Sequence, residues 1–348
     1  MKGWQSALKH GLLEAGCLPY NGFMLDHIYG TKFSRRPKPK AYGVIYQDAD
    51  GVFHKAELVN KANNEVILSA GAIGSPQLLM LSGVGPEAHL KAHKINHVVL
   101  DDPMVGQGMG DYPMNIVVVP SPKPVRVSLL EVVGITKFDS FIEGCAGLSL
   151  SYNLTCRFVD GVLRLPNEES HSTQSNIDFF KSIDGLILQN VDVPLSRGHL
   201  ELHNINDNPS LTFNYYQDPV DLEKCVKGLR TIIKVINSNE FSNYKYPNAT
   251  ARELFNLMLG IPTNLSPRHV TSTFNLTQFC VDTVMTIWHY YGGCQVGRVV
   301  DKNYKVLGID ALRVIDGSTF LRSPGTNPQA TVMMLWKVHR TKNSLREG

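Results

Sequence analysis

Apolar and polar residues alternate in two short runs near the start of the chain, residues 41–46 and 51–59. Asp48 to Gly51 joins the two runs, and such a turn between alternating segments predicts a β-hairpin. From Met1 to Pro19 the apolar spacing is helical instead. This spacing predicts an amphipathic helix with one apolar stripe, formed by Trp4, Leu8, Leu12 and Ala15.

A strand, a tight turn and a helix are predicted after the hairpin. Glu65 to Ser69 is a short apolar run that predicts a buried strand, and small residues follow it directly. Ser75 is expected to be the N-cap of the next helix, with Pro76 at its first position and Gly83 at its end. This order of elements brings a helix N-terminus close to a phosphate or a ribose.

The pattern changes after Asp101, where prolines become frequent and the apolar runs are strand-like. Pro219 to Ile236 is an exception, because its apolar residues recur with a helical period. Residues 135–190 show no clear period. We therefore expect a mainly antiparallel region over about residues 101–280, with strands near 116–119, 198–203 and 208–216.

Composition and charge exclude several classes of protein. Of the 348 residues, 43% are hydrophobic and 19% are charged, which is typical of a folded globular protein. The net charge of +3 is too small to indicate a nucleic-acid partner. No apolar run approaches the length of a membrane span, so no transmembrane segment is expected.

The start of the chain does not resemble a signal peptide, because Lys9, His10 and Glu14 interrupt any apolar core. We expect the chain to be truncated at its N-terminus.

Six cysteines in a chain of this length do not make a disulfide-rich scaffold. Cys225 and Cys280 lie in helix-like segments, and the sequence leaves open whether they form one bridge or stay free as buried thiols. Four Asn-x-Ser/Thr tripeptides favour a glycosylated parent protein of the secretory pathway. They begin at Asn153, Asn248, Asn264 and Asn275.

The segment from Met285 to Cys294 carries the clearest candidate for catalysis. His289 lies between an apolar run and the pair Gly292-Gly293, which lets the backbone turn close to a ligand. A neutral histidine at such a turn can accept the proton of a substrate hydroxyl. The alternative is a core histidine satisfied by its neighbours. A zinc site with Cys294 is excluded, because no other pair of ligands has suitable spacing.

Asn327, Pro328 and Gln329 begin a helix predicted over residues 329–338. Asn followed by Pro is a good capping pair, and in that role the Asn327 side chain bonds to the backbone. In a catalytic role its amide donates to a substrate oxygen beside His289. The free N–H groups at this helix N-terminus favour negative charge nearby.

A second acidic turn, Asp316-Gly317-Ser318, follows a predicted strand at residues 312–315. Gly317 lets a backbone amide approach a cofactor phosphate. The ordinary alternative is a turn that only ends a strand. Met333 and Met334, further on, are expected in the core.

Together these segments resemble the glucose–methanol–choline (GMC) flavoprotein family. Ala70 to Gly85 is similar to one signature of the family, and the His289 block and Asp316 to Gln329 are similar to its C-terminal active-site motifs. Other blocks resemble the plant branch, which holds HOTHEAD-like proteins and (R)-mandelonitrile lyases. These blocks are Val220 to Val226, Gly297 to Gly308 and Ser323 to Thr331.

The resemblance implies FAD as the cofactor and an alcohol as the substrate, with a long-chain ω-hydroxy fatty acid as the expected donor. His289 matches the catalytic base of the family, and Asn327 matches its second polar active-site residue. The positions that the resemblance assigns to cofactor binding are Ala70, Gly71, Trp288, Asp316, Gly317, Pro328 and Gln329.

The fold implied is α/β plus α+β, with an incomplete FAD-binding Rossmann-like lobe and a mainly antiparallel substrate-binding lobe. Residues 41–100 and 281–348 are assigned to the FAD lobe. Residues 1–40 are assigned to a helix and linker of the substrate lobe, and residues 101–280 to the rest of that lobe. The Gly-x-Gly-x-x-Gly fingerprint does not occur in the sequence, so we expect that this chain alone does not retain FAD.

Three functions stay open at this point: oxidation of alcohols, cleavage of a cyanohydrin without redox chemistry, and a truncated product without catalysis. Lyase members pair the base with a second histidine, so Asn327 favours oxidation. Tyr291 is a departure, since the plant pattern has a histidine there. Full-length relatives are expected in the secretory pathway, and the sequence predicts no oligomeric state.

Overall fold

The computed structural model describes residues 24–29, 38–122 except 60 and 62, 125, 128–146, 184–260 except 206, 264, 268–269, 274–325 and 327–344. Two sequence-based expectations lie outside these ranges: the helix over Met1 to Pro19 and the glycosylation acceptor Asn153.

The described residues form two compact units. Unit 1 takes the described residues within Met1–Gln107, Leu200–Ser210 and Gly293–Thr319, and unit 2 takes those within Gly108–His199, Leu211–Gly292 and Phe320–Gly348. The assignment of particular segments to a cofactor lobe and a substrate lobe remains a prediction.

The described residues form short strands and helices. In chain order the strands are β1 Met24–Tyr29, β2 Gly43–Gln47, β3 Phe53–Glu57, β4 Val66–Leu68, β5 Val84–Gly85, β6 Leu100–Asp101, β7 Gln107–Met109, β8 Pro113–Pro120, β9 Ser128–Ile135, β10 Ser140–Ala146, β11 Asp184–Val191, β12 Gly198–Glu201, β13 Ser210–Thr212, β14 Met285–Thr286 and β15 Leu312–Val314. The α-helices are α1 Gly71–Leu81, α2 Glu87–Ala92, α3 Pro219–Ile236, α4 Ala251–Leu259, α5 Leu276–Thr283 and α6 Gln329–Ser344. Single 3-10 turns cover Phe241–Tyr244 and Gly317–Thr319.

Unit 1 contains the expected hairpin. Strands β2 and β3 pair antiparallel, and β1 adds to the free edge of β2. The turn between β2 and β3 is closed by Asp48, whose Oδ1 accepts the N–H groups of Asp50 and Val52, both at 2.9 Å. The turn could be predicted from the sequence because a short acidic side chain bonds to the backbone two and four residues further along the chain.

The predicted strand, turn and helix also lie in unit 1, but the helix begins elsewhere. Strand β4 pairs in parallel with β15, and α1 starts at Gly71, four residues before Ser75. The expectation that Ser75 caps the helix and Pro76 opens it is therefore wrong. Ser75 and Pro76 are buried inside α1, where the proline leaves one helical hydrogen bond unmade. The cap comes instead from Asp316, whose Oδ2 accepts the Gly71 N–H at 3.0 Å.

Gly83 ends α1 as predicted. Its φ is +82°, and a Cβ at this position would lie 2.3 Å from the carbonyl oxygen of His97. Only glycine satisfies both conditions, because a side chain is strained at this φ and also has no space.

Unit 2 is built on a five-stranded sheet of order β14-β8-β11-β10-β9, in which all neighbours are antiparallel. This confirms the mainly antiparallel region expected within residues 101–280. Helix α3 has the predicted bounds, and its N-cap is Asp218, whose side chain accepts the Val220 N–H at 2.9 Å. A Thr250–Glu253 capping box begins α4.

The larger apolar cluster of unit 2 joins β8 and β11 to α3, α4 and α5, with Leu229, Phe255 and Phe279 among its buried members. Within it, Cys225 of α3 and Cys280 of α5 form a disulfide with a Cα–Cα distance of 6.3 Å. Of the two alternatives that the sequence left open, the bridge is confirmed.

Helix α6 runs beyond the predicted end at residue 338. Met333 and Met334 are 65% and 59% exposed, so the expectation that they belong to the core is wrong. No residue of 329–338 is fully buried, and Thr331, Val332 and Leu335 are half-buried. Within the described ranges, no helix has both the length and the apolar character needed to cross a membrane.

Candidate active site

His289 lies at the end of a strained turn in unit 2. Trp288 has a φ of +63°, a backbone conformation that is rare for a large side chain, and its N–H donates to Oγ1 of Thr286 at 2.8 Å. The Trp288 side chain is 64% exposed. In contrast, Nε2 of His289 is buried and has no hydrogen-bond partner among the described residues. A buried, unpaired ring nitrogen is unfavourable unless a ligand bonds to it, so this atom indicates a binding position.

A buried carboxylate holds this turn in place. Asp111 Oδ1 accepts the backbone N–H of His289 at 3.0 Å, and its Oδ2 accepts the hydroxyls of Thr286 and Tyr215, both at 2.6 Å. Burial raises the pKa of Asp111, and these hydrogen bonds oppose that shift. The sequence analysis missed Asp111. Its only local signal is the run Gly110-Asp111-Tyr112-Pro113 directly before β8.

One aromatic ring packs against the imidazole. The Tyr112 ring lies edge-on to His289, with centroids 5.8 Å apart, and also edge-on to Phe141 at the same distance. Tyr291, whose ring centroid is 6.4 Å from that of Tyr112, is 1% exposed, and the Arg197 guanidinium lies 5.3 Å from its ring centroid. Burial raises the pKa of Tyr291 to about 12, so this phenol stays neutral at physiological pH.

Asp316 and the N-terminus of α1 form a second group, in unit 1. Besides the Gly71 N–H, the Asp316 carboxylate accepts the Ser75 hydroxyl at 2.5 Å and the Ser318 N–H at 2.8 Å. The Ala70 N–H donates to Oγ of Ser75 at 3.1 Å. The structure thus brings Ala70, Gly71, Asp316 and Gly317 together. The Asp316 carboxylate is occupied by donors of its own chain, so it shapes the turn instead of offering a free negative charge.

Asn327, Pro328 and Gln329 stand at the start of α6, in unit 2. The Val332 N–H donates to the Pro328 carbonyl at 3.0 Å, which places Pro328 at the capping position and Asn327 one residue before it. Asn327 is exposed. The predicted site residues therefore fall into two groups. Ala70, Gly71, Asp316 and Gly317 lie in unit 1, and Trp288, His289, Asn327, Pro328 and Gln329 lie in unit 2.

The His289 turn in unit 2 and the Asp316 turn in unit 1 are the two segments whose sequences resemble motifs of flavin-dependent oxidoreductases. The chain belongs to the GMC oxidoreductase family. Two family models with that description match it, one over residues 2–114 and the other over residues 194–335.

Several plant proteins are similar to the chain. HOTHEAD of Arabidopsis thaliana is 42% identical over 391 aligned residues, which cover 95% of the chain and 66% of HOTHEAD. (R)-mandelonitrile lyase 1 of Prunus serotina is 36% identical, over 95% of the chain and 62% of the lyase. The Nesocodon mauritianus protein named sinalpyl alcohol oxidase Nec3 is 35% identical, over 95% of the chain and 64% of the oxidase. The chain thus spans slightly less than two thirds of these relatives.

Solved structures share the fold at lower identity. Pyridoxine 4-oxidase from Mesorbium loti has a TM-score of 0.67 and 18% identity, over 92% of the chain and 57% of that protein. A formate oxidase variant of Aspergillus oryzae has a TM-score of 0.63 and 19% identity, over 90% of the chain and 58% of that protein. These likenesses confirm the expected fold class, α/β elements combined with a mainly antiparallel lobe.

Proposed function

We propose that this chain carries the catalytic histidine of an FAD-dependent oxidoreductase that acts on CH–OH donors, and that the donors are long-chain alcohols such as ω-hydroxy fatty acids. The observation that carries the proposal is the buried, unpaired Nε2 of His289, held on a fixed turn. The similarity to a protein named as an alcohol oxidase supports the reaction type.

Residues of the chain fit the flavin end of FAD. In unit 1, Ala70 is exposed and Gly71 partly exposed at the start of α1, but their N–H groups are bonded to Ser75 and Asp316, so it is the outward surface of this turn that can contact FAD. In unit 2, the start of α6 at Pro328 and Gln329 offers a helix N-terminus. When bound, FAD supplies the acceptor for the hydride that leaves the substrate carbon.

The chemistry of the chain itself centres on the substrate hydroxyl. His289 Nε2 accepts the hydroxyl proton, and a positioned base of this kind contributes about 10²–10⁴-fold to the rate. Asn327 orients the substrate oxygen through its amide. The Tyr112 ring packs edge-on against the imidazole and Phe141 packs edge-on against Tyr112, and both side chains are buried, so they keep water from this side of His289. A site bordered by buried aromatic rings favours an aliphatic alcohol over a sugar.

The test uses the chain joined to a segment that carries the glycine-rich FAD fingerprint, because the chain alone is expected not to retain FAD. It is run under anaerobic conditions, with ω-hydroxypalmitic acid as the donor. Bleaching of the flavin absorbance measures oxidation. We expect His289→Ala to slow bleaching by about 10²–10⁴-fold, and Asn327→Ala to slow it less. His269→Ala is the matched control, because His269 lies in the same unit but is paired with Asp282 at 2.6 Å. Unchanged bleaching in His289→Ala, with flavin bound, contradicts the proposal.

The same preparation distinguishes the alternatives. Release of benzaldehyde and cyanide from mandelonitrile without bleaching would replace oxidation by the lyase function. If FAD binds and neither reaction occurs, the chain is a non-catalytic product. The chain without that segment is measured in parallel and is expected not to retain FAD; flavin that co-purifies with it would contradict this expectation.

We also propose that the protein matures in the secretory pathway. A buried disulfide is typical of an oxidising compartment, which supports this. Among the described glycosylation acceptors, Asn248 and Asn275 are exposed, whereas the Asn264 amide donates to the Val284 carbonyl at 2.5 Å. Enzymatic removal of N-linked glycans from protein made in plant cells is expected to lower its apparent mass. Asn248→Gln is expected to reduce that difference, and protein without any glycan would contradict the proposal.

A further inference from the structure

Three consecutive residues before β8 contact both segments of unit 2 that carry the candidate catalytic side chains. Gly110 pairs with Tyr291 through two backbone hydrogen bonds of 2.8 and 2.9 Å. Asp111 bonds to the Thr286–His289 turn, and Tyr112 bonds to Ser323. We call residues 110–112 the bracket. All of these contacts lie within unit 2.

The Asp111 arm of the bracket accepts hydrogen bonds from three donors. Its carboxylate accepts the His289 N–H and the hydroxyls of Thr286 and Tyr215. The Thr286 hydroxyl in turn accepts the Trp288 N–H, which holds the residue with positive φ. Because a strained backbone persists only where its surroundings fix it, loss of this carboxylate releases the turn that orients His289.

The Tyr112 arm reaches the other candidate segment. The Tyr112 and Ser323 hydroxyls share a hydrogen bond, and Ser323 Oγ also accepts the Gly325 N–H at 3.0 Å. Ser323 and Gly325 belong to the loop that leads into Asn327 and α6. The Tyr112 ring contacts the His289 ring at the same time. One side chain therefore touches the imidazole and tethers the loop before Asn327.

We propose that Asp111 and Tyr112 are positioning residues, which set His289 and the loop before Asn327 in place from one point of the chain. The role in turnover rests on the function proposed above, whereas the role in holding the two segments does not. Neither residue touches a reacting atom in this proposal. Each acts through a neighbour, Asp111 through the 286–289 turn and Tyr112 through Ser323.

The first test measures amide hydrogen–deuterium exchange of the full chain by mass spectrometry. In Asp111→Asn, the amide replaces one of the two acceptor oxygens by a donor, and we expect exchange in residues 286–291 to rise about tenfold or more. In Tyr112→Phe, which keeps the ring, exchange is expected to rise in residues 321–325 and to change little in 286–291.

Asp221→Asn is the matched control. Asp221 is fully buried in the same unit and also accepts three donors, the N–H groups of Leu195 and Ser196 and the Ser196 hydroxyl. Its loss is expected to raise exchange near residues 194–197 and not in 286–291. Equal exchange in 286–291 for Asp111→Asn and the unmodified chain, or the same rise in Asp221→Asn, overturns the proposal.

The second test separates positioning from general stability in preparations that oxidise alcohol. Asp111→Asn is expected to lower kcat about 10²-fold, with KM within about twofold, because the base is displaced and the buried aromatic rings are kept. Thr286→Val, which lacks the hydroxyl, is expected to lower kcat likewise. Thr286→Ser, which keeps the hydroxyl, is expected to retain the kcat of the unmodified chain. Asp221→Asn is expected to retain kcat. A loss of kcat in Asp221→Asn equal to that in Asp111→Asn refutes the positioning role. An unmodified chain that oxidises no alcohol refutes the proposed function only, since the exchange test still decides the role of the bracket.

Discussion

The Cys225–Cys280 disulfide gives a prediction whose magnitude follows directly from the structure. The bridge joins α3 to α5 inside the larger apolar cluster of unit 2, and both cysteines are fully buried. Three variants test the bridge: Cys225→Ala, Cys280→Ala and the double substitution. The sequence separation of the two residues is 55, and closing a loop of that length in the unfolded chain stabilises the folded state by about 4 kcal/mol. Each lost sulfur removes roughly a further 1 kcal/mol of apolar burial.

The assay is equilibrium unfolding in urea, followed for the unmodified chain and the three variants. Either single substitution already breaks the bridge, so the two singles and the double are expected to lose similar amounts of unfolding free energy, roughly 4–6 kcal/mol. Cys294→Ala is the control, because Cys294 is a buried free thiol and its loss removes packing only. Peptide mapping without reductant is expected to recover the two cysteines in one linked pair.

The reasoning is refuted if the single substitutions are each nearly neutral and their effects add. That result would mean that the two cysteines are independent thiols. A loss in Cys294→Ala as large as that in Cys225→Ala would also contradict it, since cavity formation alone would then explain the effect.

Three further predictions concern single buried contacts. Asp316→Ala removes the acceptor for the Gly71 N–H and the Ser75 hydroxyl, so it is expected to lower the free energy of unfolding by roughly 3 kcal/mol in urea titrations; a loss below 1 kcal/mol would show that α1 needs no cap from Asp316. Burial raises the pKa of Glu143, so its ionised form destabilises the fold at neutral pH and the protonated form does not. Glu143→Gln is therefore expected to raise Tm at pH 7, with a gain that fades as the pH falls through the raised pKa towards 4.5, the ordinary pKa of the group, and is absent below it; a gain that is constant with pH would exclude ionisation as its cause. Gly83→Ala is expected to cost more than Gly297→Ala, because both have φ near +80° but only Gly83 has a neighbour, at 2.3 Å; equal losses would show that space at Gly83 does not matter.

Local elements of this chain were predictable from the sequence because their causes are local. The hairpin β2–β3 depends on a turn closed by Asp48, and the bounds of α3 follow from a helical apolar period and an Asp-Pro start. The family motifs around His289 and Asp316 were also readable, since each is a short run of residues with unusual backbone demands. These features gave the family and the fold class.

The tertiary structure decided the contacts between residues that lie far apart in the chain. The cap of α1 comes from Asp316, 245 residues after Gly71, so the local capping rule placed the helix start at Ser75 wrongly. Asp111 bonds to the backbone of His289 across 178 residues, which no local pattern reveals. Whether Cys225 and Cys280 form a bridge or stay free thiols also depended on how helices pack. The same is true of the exposure of Met333 and Met334. A residue type and its near neighbours determine backbone geometry, whereas the partners of a buried polar group or cysteine are set only when distant segments meet.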